Sequence, residues 1–430
     1  MEKISFIHLS DIHFRKNSDN PADIDSDLRE AIITDINLNA RERLKNIRGV
    51  LVCGDIAFSG QKSEYDSASS FLKRVTDCLG INEFDVFCVP GNHDVNQNIP
   101  RSSDTVYEAQ YKIDNEPTLD MADETFQRKI TDLCCNDILY KPIEAYNVFA
   151  SKFCCDISAK QPIWENKFDL EHNMSLCLWG MNSCIISNAA DNKDELQGRK
   201  MYIGQSQIPG PSKDIIFMSL CHHPNTLWKF ADELLPKFNK RADIQLFGHM
   251  HTQSQEINDN NIILYSGAVH PERGKDWQPR YNWISIEIFK ENNERKIKVQ
   301  IFPRVLSKDR SRFETDKDLV DNSTGRVEHV LNIDQKRKKD LTDPIQMSEN
   351  KEKTVTHENQ TKINLKELVY KFLMLPYLTQ TNILINLELV GEDNKGRKYE
   401  TIMKSIIDRA NKENKLLKLW DKIMEEERNG

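Results

Sequence analysis

Five short apolar runs of this 430-residue chain end in residue types that bind cations. The first leads into Asp11-Ile12-His13, the second into Gly54-Asp55 and the third into Gly91-Asn92-His93-Asp94. The fourth leads into His222-His223-Pro224 and the fifth into Gly248-His249-Met250-His251. Imidazole nitrogen suits zinc, iron and other transition metals, whereas carboxylate and amide oxygens accept harder ions such as manganese. Residues two apart in extended chain point to one side, so Asp11 and His13 can reach one cation. Three aspartates, one asparagine and six histidines are more than a single ion needs. Two divalent ions bridged by a carboxylate would use most of them; Mn2+ is the first choice, with Fe or Zn as alternatives. Such a pair lowers the pKa of a shared water and can neutralise charge that builds up on a substrate during attack.

The elements that must position these residues alternate. Residues 4–9, 50–53 and 86–89 read as short buried strands, with amphipathic helices over 28–47 and 65–79 between them. Strand, helix, strand repeated in this way predicts an α/β sheet with its functional loops at the carboxyl ends of strands. Residues 97–172 break the rhythm, being polar and helix-compatible, and read as a helical insertion or cap. Strands resume at 174–179, 215–220, 244–247 and 262–265, and near-alternating patterns at 283–289 and 297–302 predict a closing hairpin. The stretch 307–360 is charged and poor in large apolar residues, and reads as a linker with one strand chance at 327–331. From 361 to 430, apolar residues recur at helical spacing around Leu368, Ile406 and Leu416, which predicts a small helical bundle.

The ordered set Asp11-x-His13, Gly54-Asp55, Gly91-Asn92-His93-Asp94, His222-x-Pro224 and Gly248-His249-x-His251 resembles the calcineurin-like metallophosphoesterase family over residues 1 to about 303. The resemblance implies a four-layer αββα sandwich for residues 1–306, carrying the 97–172 insertion and followed by a small all-α domain. It also implies a dinuclear centre: Asp11, His13 and His251 on one metal, Asn92, His222 and His249 on the other, and Asp55 bridging. His93 would face the scissile phosphate and protonate the leaving oxygen, and Asp94 would orient His93. His223, Arg15 and Asn182 are the candidate substrate contacts; Asn182 resembles the strand-end asparagine that follows this family's insertion. His8 and His270 read as a structural and a loop histidine, and Trp277, Tyr281 and Trp283 as core aromatics.

Composition narrows the partners. A net charge of −8 argues against broad attraction to nucleic acid, although a local basic patch or a metal centre can still receive an anion. No apolar run is long enough to span a bilayer and the N-terminus lacks signal-peptide architecture, so a cytoplasmic protein is expected. The ten cysteines sit mostly in apolar stretches and read as buried hydrophobes rather than as a metal site built on the Cys134-Cys135 and Cys154-Cys155 doublets. The compact motif spacing and the short loop at Asp11 resemble the bacterial phosphodiesterase branch, so the expected reaction is hydrolysis of a nucleotide or nucleic-acid phosphodiester. The alternatives are a phosphomonoesterase or protein phosphatase, and a scaffold protein with a relict metal site. The 361–430 module resembles the helical adaptor domains appended to bacterial effector enzymes, which implies a protein partner or self-association.

Overall fold

The computed structural model describes residues 3–342 apart from 17–22, 24, 192–198, 259–260, 272–276 and 321–322. Further along it describes 368, 371–372, 375, 377–389, 406, 409–410, 413 and 415–429. The chain divides into two units, Met1–Pro344 and Ile345–Gly430.

The first unit is built on two sheets. Its strands in chain order are β1 (Lys3–Leu9), β2 (Ile47–Cys53), β3 (Val86–Val89), β4 (Trp164–Leu170), β5 (Met174–Gly180), β6 (Ile215–Cys221) and β7 (Ala242–Phe247). Then follow β8 (Gln253–Ile257), β9 (Ile262–Ser266), β10 (Arg280–Glu291), β11 (Glu294–Leu306), β12 (Phe313–Thr315) and β13 (Val327–Asn332). One sheet runs β12-β11-β10-β1-β2-β3, with β13 also on β11; the other runs β4-β5-β6-β7-β9-β8. β1, β2 and β3 are mutually parallel, as are β5, β6, β7 and β9. The two sheets meet through aromatic edges: Phe6 of β1 lies 5.7 Å from Phe168 of β4, and Phe87 of β3 lies 6.1 Å from Trp164. Strands buried on both faces need near-continuous apolar runs, and these are the runs visible in the sequence.

The longer helices of the first unit are α1 (Ser26–Asp35), α2 (Lys62–Leu79), α3 (Asp104–Asp114), α4 (Leu119–Ile130), α5 (Glu144–Ala150), α6 (Ala231–Arg241) and α7 (Ile333–Thr342). α2 shows how local sequence specifies an element. The Glu64 carboxylate accepts the N–H groups of Ser59 and Gln61 at its start, and Gly80 ends it in the left-handed region at φ 67°. Between those caps Tyr65, Ala68, Phe71, Leu72, Val75 and Leu79 form the buried stripe. With helices on its β-layers, the unit is an α/β sandwich.

Two expected boundaries move. The helical insertion ends near Phe153, and β4, expected as its last part, instead pairs antiparallel with β5 as an edge strand of the second sheet. Polar residues alternate along β4 because one face of this edge strand meets solvent, while Trp164 donates from Nε1 to the Cys88 carbonyl at 2.9 Å. The expected linker from 307 belongs, as far as Thr342, to the first unit. There β12 and β13 join β11, and α7 inserts a fully buried Lys336 whose Nζ lies 2.8 Å from Asp243 Oδ1. A buried lysine reads as polar in composition, so the segment looks solvated until its partner is seen. Residues 343–360 lie outside the described residues.

In the second unit, Leu368, Phe372, Leu375, Ile383, Leu384, Leu389, Ile406, Ala410, Leu419 and Ile423 form a separate apolar core. It is carried partly by α8 (Tyr377–Asn386) and α9 (Leu416–Asn429). Among the described residues no helix is long and apolar enough to cross a membrane. Cys134 and Cys135 are exposed while Cys155 is buried, and no cysteine among the described residues joins a metal-binding cluster.

Candidate dinuclear metal centre

All five motif loops leave the carboxyl ends of parallel strands: β1, β2 and β3 from one sheet, β6 and β7 from the other. This is where open α/β sheets place ligands. Main-chain hydrogen bonds tie the loops together: Asp11 N donates to the Gly54 carbonyl, Ile12 N and His13 N to that of Asp55, and Gly248 N to that of His222. Asp11, His13, Asp55, His249 and His251 all have φ between 52° and 67°, a left-handed conformation that non-glycine residues seldom adopt. Five such residues in one cleft mark strain that the surrounding fold holds in place, as functional sites do. Two glycines allow the crowding. Gly54 (φ 84°) would put a Cβ 2.6 Å from His222 Nδ1, and a Cβ on Gly91 would run into the Asp55 carboxylate.

The side chains gather in two overlapping groups. One ligand atom each from Asp11, His13 and His251 lies within 4.8 Å of the others, and the same holds for His222, His223 and His249. Asp55 belongs to both neighbourhoods: its Oδ2 is 4.0 Å from His13 Nε2 and 3.4 Å from His222 Nε2. His222 Nδ1 faces the Cys53 carbonyl at 2.9 Å. A carbonyl only accepts, so Nδ1 carries the hydrogen and Nε2 is the atom turned to the centre. There it meets Asn92 Oδ1 at 3.0 Å and His249 Nδ1 at 3.3 Å, and His249 Nδ1 is itself 3.1 Å from Asn92 Oδ1. Asp11 Oδ1 lies 3.4 Å from His251 Nε2, while His13 Nδ1 and His223 Nε2 are buried with no hydrogen-bond partner among the described residues.

Electrostatics follow from this crowding. Burial alone would raise the Asp55 carboxyl, but His222, His93 and His13 outweigh it and hold it well below the usual range. Burial would likewise raise Asp11, and His251 with His222 hold it down instead. His13 and His249 are pushed down to about 4, chiefly by burial, and so are neutral ligands at ordinary pH. Burial would also lower His222, but Asp55, then Asp11 and the Cys53 carbonyl, raise it to about 9. The set fits divalent cations: nitrogen and oxygen ligand atoms converge at 3.0–3.4 Å from one another and two carboxylates stay ionised.

The remaining candidates divide. His93 is half-buried beside the group, with an atom within 4.8 Å of ligand atoms on His13 and Asp55. Its Nδ1 lies 2.8 Å from the carbonyl oxygen of Phe58, a partner that no side-chain motif announces. The expectation that Asp94 orients His93 is corrected. The Asp94 carboxylate accepts from Ile56 N, Ala57 N, Gly91 N and the Tyr65 hydroxyl, so it ties the second loop to the third. Burial and the nearby Asp55 raise its carboxyl to about 6. His223 points its Nδ1 at Ser183 Oγ, 2.8 Å away, and sits 4.6 Å ring to ring from His249. Asn182 is buried and bound up with its own loop, its Oδ1 accepting from Cys184 N and its main chain paired with the Gln207 amide. Arg15 is exposed, its guanidinium 4.4 Å above the Phe58 ring. His8 is a buried strand histidine, while His270 places Nε2 2.9 Å from Asp25 Oδ1. Tyr281 and Trp283 are core; Trp277 is partly buried against that core.

Comparison with known proteins gives two regions of likeness. Residues 364–425 match the GTPase-associated adaptor domain. A Bacillus subtilis (strain 168) protein described as an uncharacterized metallophosphoesterase-like protein, YydB, is 23% identical over 314 residues, covering 70% of this chain and 60% of its own length. The chain therefore spans 60% of that curated relative. Among solved structures, it is similar to vacuolar protein sorting 29 of Cryptosporidium parvum (10% identity, 77% of this chain and 100% of that one, TM-score 0.31). It is also similar to GAP50 of Plasmodium (12% identity, 77% and 89% covered, TM-score 0.37). The pattern of the calcineurin-like phosphoesterases matches residues 4–253, more than half of the chain, and the chain belongs to that family.

Proposed function

We propose that the first unit hydrolyses phosphate esters with two divalent cations, Mn2+ first among them, and that its substrate is a phosphodiester of a nucleotide or nucleic acid. The observation that carries this reading is the position of Asp55 Oδ2 between His13 Nε2 and His222 Nε2, where one carboxylate oxygen faces both ligand groups. Asp11, His13 and His251 would hold one cation, Asn92, His222 and His249 the other, and Asp55 would join them. When bound, such a pair of ions supplies charge neutralisation for the phosphate oxygens and an acidified water as nucleophile.

The chain's own groups do the rest. The Phe58 carbonyl fixes a hydrogen on His93 Nδ1, so the proton that moves does so at Nε2. Protonated there, His93 donates to the leaving oxygen, a contribution of roughly 10²–10⁴-fold. His223 is anchored by Ser183; with the Ser183 hydroxyl donating to Nδ1, the ring hydrogen sits on Nε2, which donates to a non-bridging or ester oxygen. The compact first loop, like that of bacterial phosphodiesterases, supports a diester over a phosphoprotein. The match to an adaptor domain at 364–425 and that unit's own core support recruitment of a protein partner.

The test is turnover of bis-p-nitrophenyl phosphate and p-nitrophenyl phosphate by the Mn2+-loaded full chain, with His93→Ala as comparison. The reading expects diester cleavage by the native protein; His93→Ala should lose about 10²-fold or more on a dinucleoside monophosphate, whose leaving alcohol needs a proton, and far less on the p-nitrophenyl diester, whose phenolate leaves without one. Cleavage of the monoester alone would replace the diesterase by a monoesterase. No turnover of either, with metal bound, would leave a scaffold with a relict site.

A further inference from the structure

We propose that Phe58 and Arg15 form the leaving-group subsite of this cleft, a flat wall on which a nucleobase attached to the departing oxygen stacks. The inference rests on the reading that the cleft hydrolyses nucleotide esters with His93 as proton donor, and names the part of the substrate that lies on the His93 side.

Phe58 is out of place for a phenylalanine. All 18 phenylalanines lie among the described residues, and Phe58 is the one left more than a third exposed, at 39%. Its exposure is not a loose end of chain. Phe58 N donates to the Phe14 carbonyl at 2.9 Å, and Phe14 also bridges to Ala57, so the main chain is held between the loops after β1 and β2. The same residue's carbonyl holds His93 Nδ1. Its ring lies 5.2 Å from the His93 ring at 34° and 6.1 Å from the His13 ring at 74°. The Arg15 guanidinium lies over the ring, its central carbon 4.4 Å from the centroid.

This combination selects a class of ligand. An exposed aromatic ring with a guanidinium laid over it makes a flat surface that favours another planar π-system. Because Phe58 also holds the imidazole that protonates the leaving oxygen, whatever stacks there is joined to that oxygen, not to the phosphoryl group retained by the metals. The substrate class is thus an ester whose leaving alcohol is a nucleoside.

A dinucleoside monophosphate and its two abasic analogues, each lacking one base, test this with the Mn2+-loaded full chain. Base–aromatic stacking corresponds to roughly 5- to 150-fold per base, so removing the leaving-side base should cost the native protein about tenfold in kcat/KM, chiefly through KM. In Phe58→Leu the same removal should cost less than about twofold, and Arg15→Gln should fall between. Inhibition by 2′-deoxyadenosine should weaken in parallel in the two variants. Equal base dependence in native and Phe58→Leu protein, or dependence only on the base of the retained side, would overturn the inference while leaving the phosphodiesterase reading intact. Failure of the native protein to cleave either the dinucleoside or bis-p-nitrophenyl phosphate would remove the reading beneath it.

Discussion

β7 carries buried charge at both of its ends, and the two ends are built in opposite ways. At its start Asp243 is fully buried, with Oδ1 2.8 Å from Lys336 Nζ and Oδ2 2.8 Å from the Arg337 guanidinium and 3.0 Å from Phe217 N. Each carboxylate oxygen has a donor, and two cations answer one anion. Past its other end, His249 and His251 face Asp11, Asp55, Asn92 and His222, where, among the described residues, Asp11 Oδ1 meets only His251 Nε2 at 3.4 Å and nitrogen faces nitrogen at 3.3 Å. A buried carboxylate with a donor on each oxygen belongs to the architecture. Carboxylates, an amide and several imidazoles crowded together are shaped for a cation that the chain does not itself supply. The first end therefore answers to stability and the second to a ligand.

The largest expected effect separates them directly. Asp55→Asn removes the charge shared by both ligand groups, and several kcal/mol of transition-state stabilisation, on the order of 10³-fold in kcat, should go with it. The rise in unfolding temperature produced by saturating Mn2+ should shrink at the same time, since a ligand stabilises only as far as it binds the folded state. A variant that keeps the full Mn2+-induced shift would show that Asp55 is not a ligand.

At the other end, Asp243→Asn leaves Lys336 buried without its counter-ion, and breaking a buried pair from one side costs about 3–5 kcal/mol. Urea denaturation should register this loss, while the molecules that remain folded turn over at the native rate. A loss of turnover with stability unchanged would reverse the assignment of the two ends.

A pH effect of intermediate size sharpens the comparison. His222 sits at about 9 in the metal-free fold, against an ordinary value of 6.5, because Asp55 and Asp11 outweigh the burial that opposes them. Its folded value is raised, so its contribution to stability is complete below 6.5 and is lost as pH rises through 9. Metal-free protein should therefore weaken over that window, and saturating Mn2+ should flatten the dependence by replacing the proton. Metal uptake at pH 7 should release a proton, seen as a dependence of the calorimetric heat on the buffer's ionisation enthalpy. Uptake without proton release would take His222 out of the ligand set.

Much of this was legible in the residues, for a physical reason. Each motif follows a short apolar run, a buried strand needs such a run, and the loop after it has nowhere to go but the sheet's carboxyl edge. Asp11, Asp55, His222 and His249 could thus be placed together before any coordinates. What stayed hidden depends on partners that no local pattern encodes. Lys336 and Arg337 lie in a charged stretch that reads as linker, because composition cannot show that Asp243 waits about ninety residues earlier. Asp94 follows His93 in sequence, yet its carboxylate turns to the amides of Ile56, Ala57 and Gly91, and a main-chain oxygen of Phe58 takes the place expected for it. β4 was hidden by the polar alternation that an edge strand tolerates.

The smallest expected effect tests whether burial is what divides one kind of charge cluster from another. Arg74 of α2 and Glu30 of α1 make a bidentate pair, 2.6 Å and 2.8 Å, with good geometry but with side chains about half exposed, at 49% and 57%. Water screens such a pair, and ordering two long side chains offsets part of the attraction, so Arg74→Ala should cost only about 0.2–1 kcal/mol and less at high salt. Asp243 differs in lying beyond the reach of water, so its partners cannot be replaced by solvent when one is removed. If Arg74→Ala proved as damaging in urea as Asp243→Asn, hydrogen-bond geometry rather than burial would set the scale. The converging groups of the candidate metal end would then owe less to their seclusion than their neutral histidines and ionised carboxylates imply.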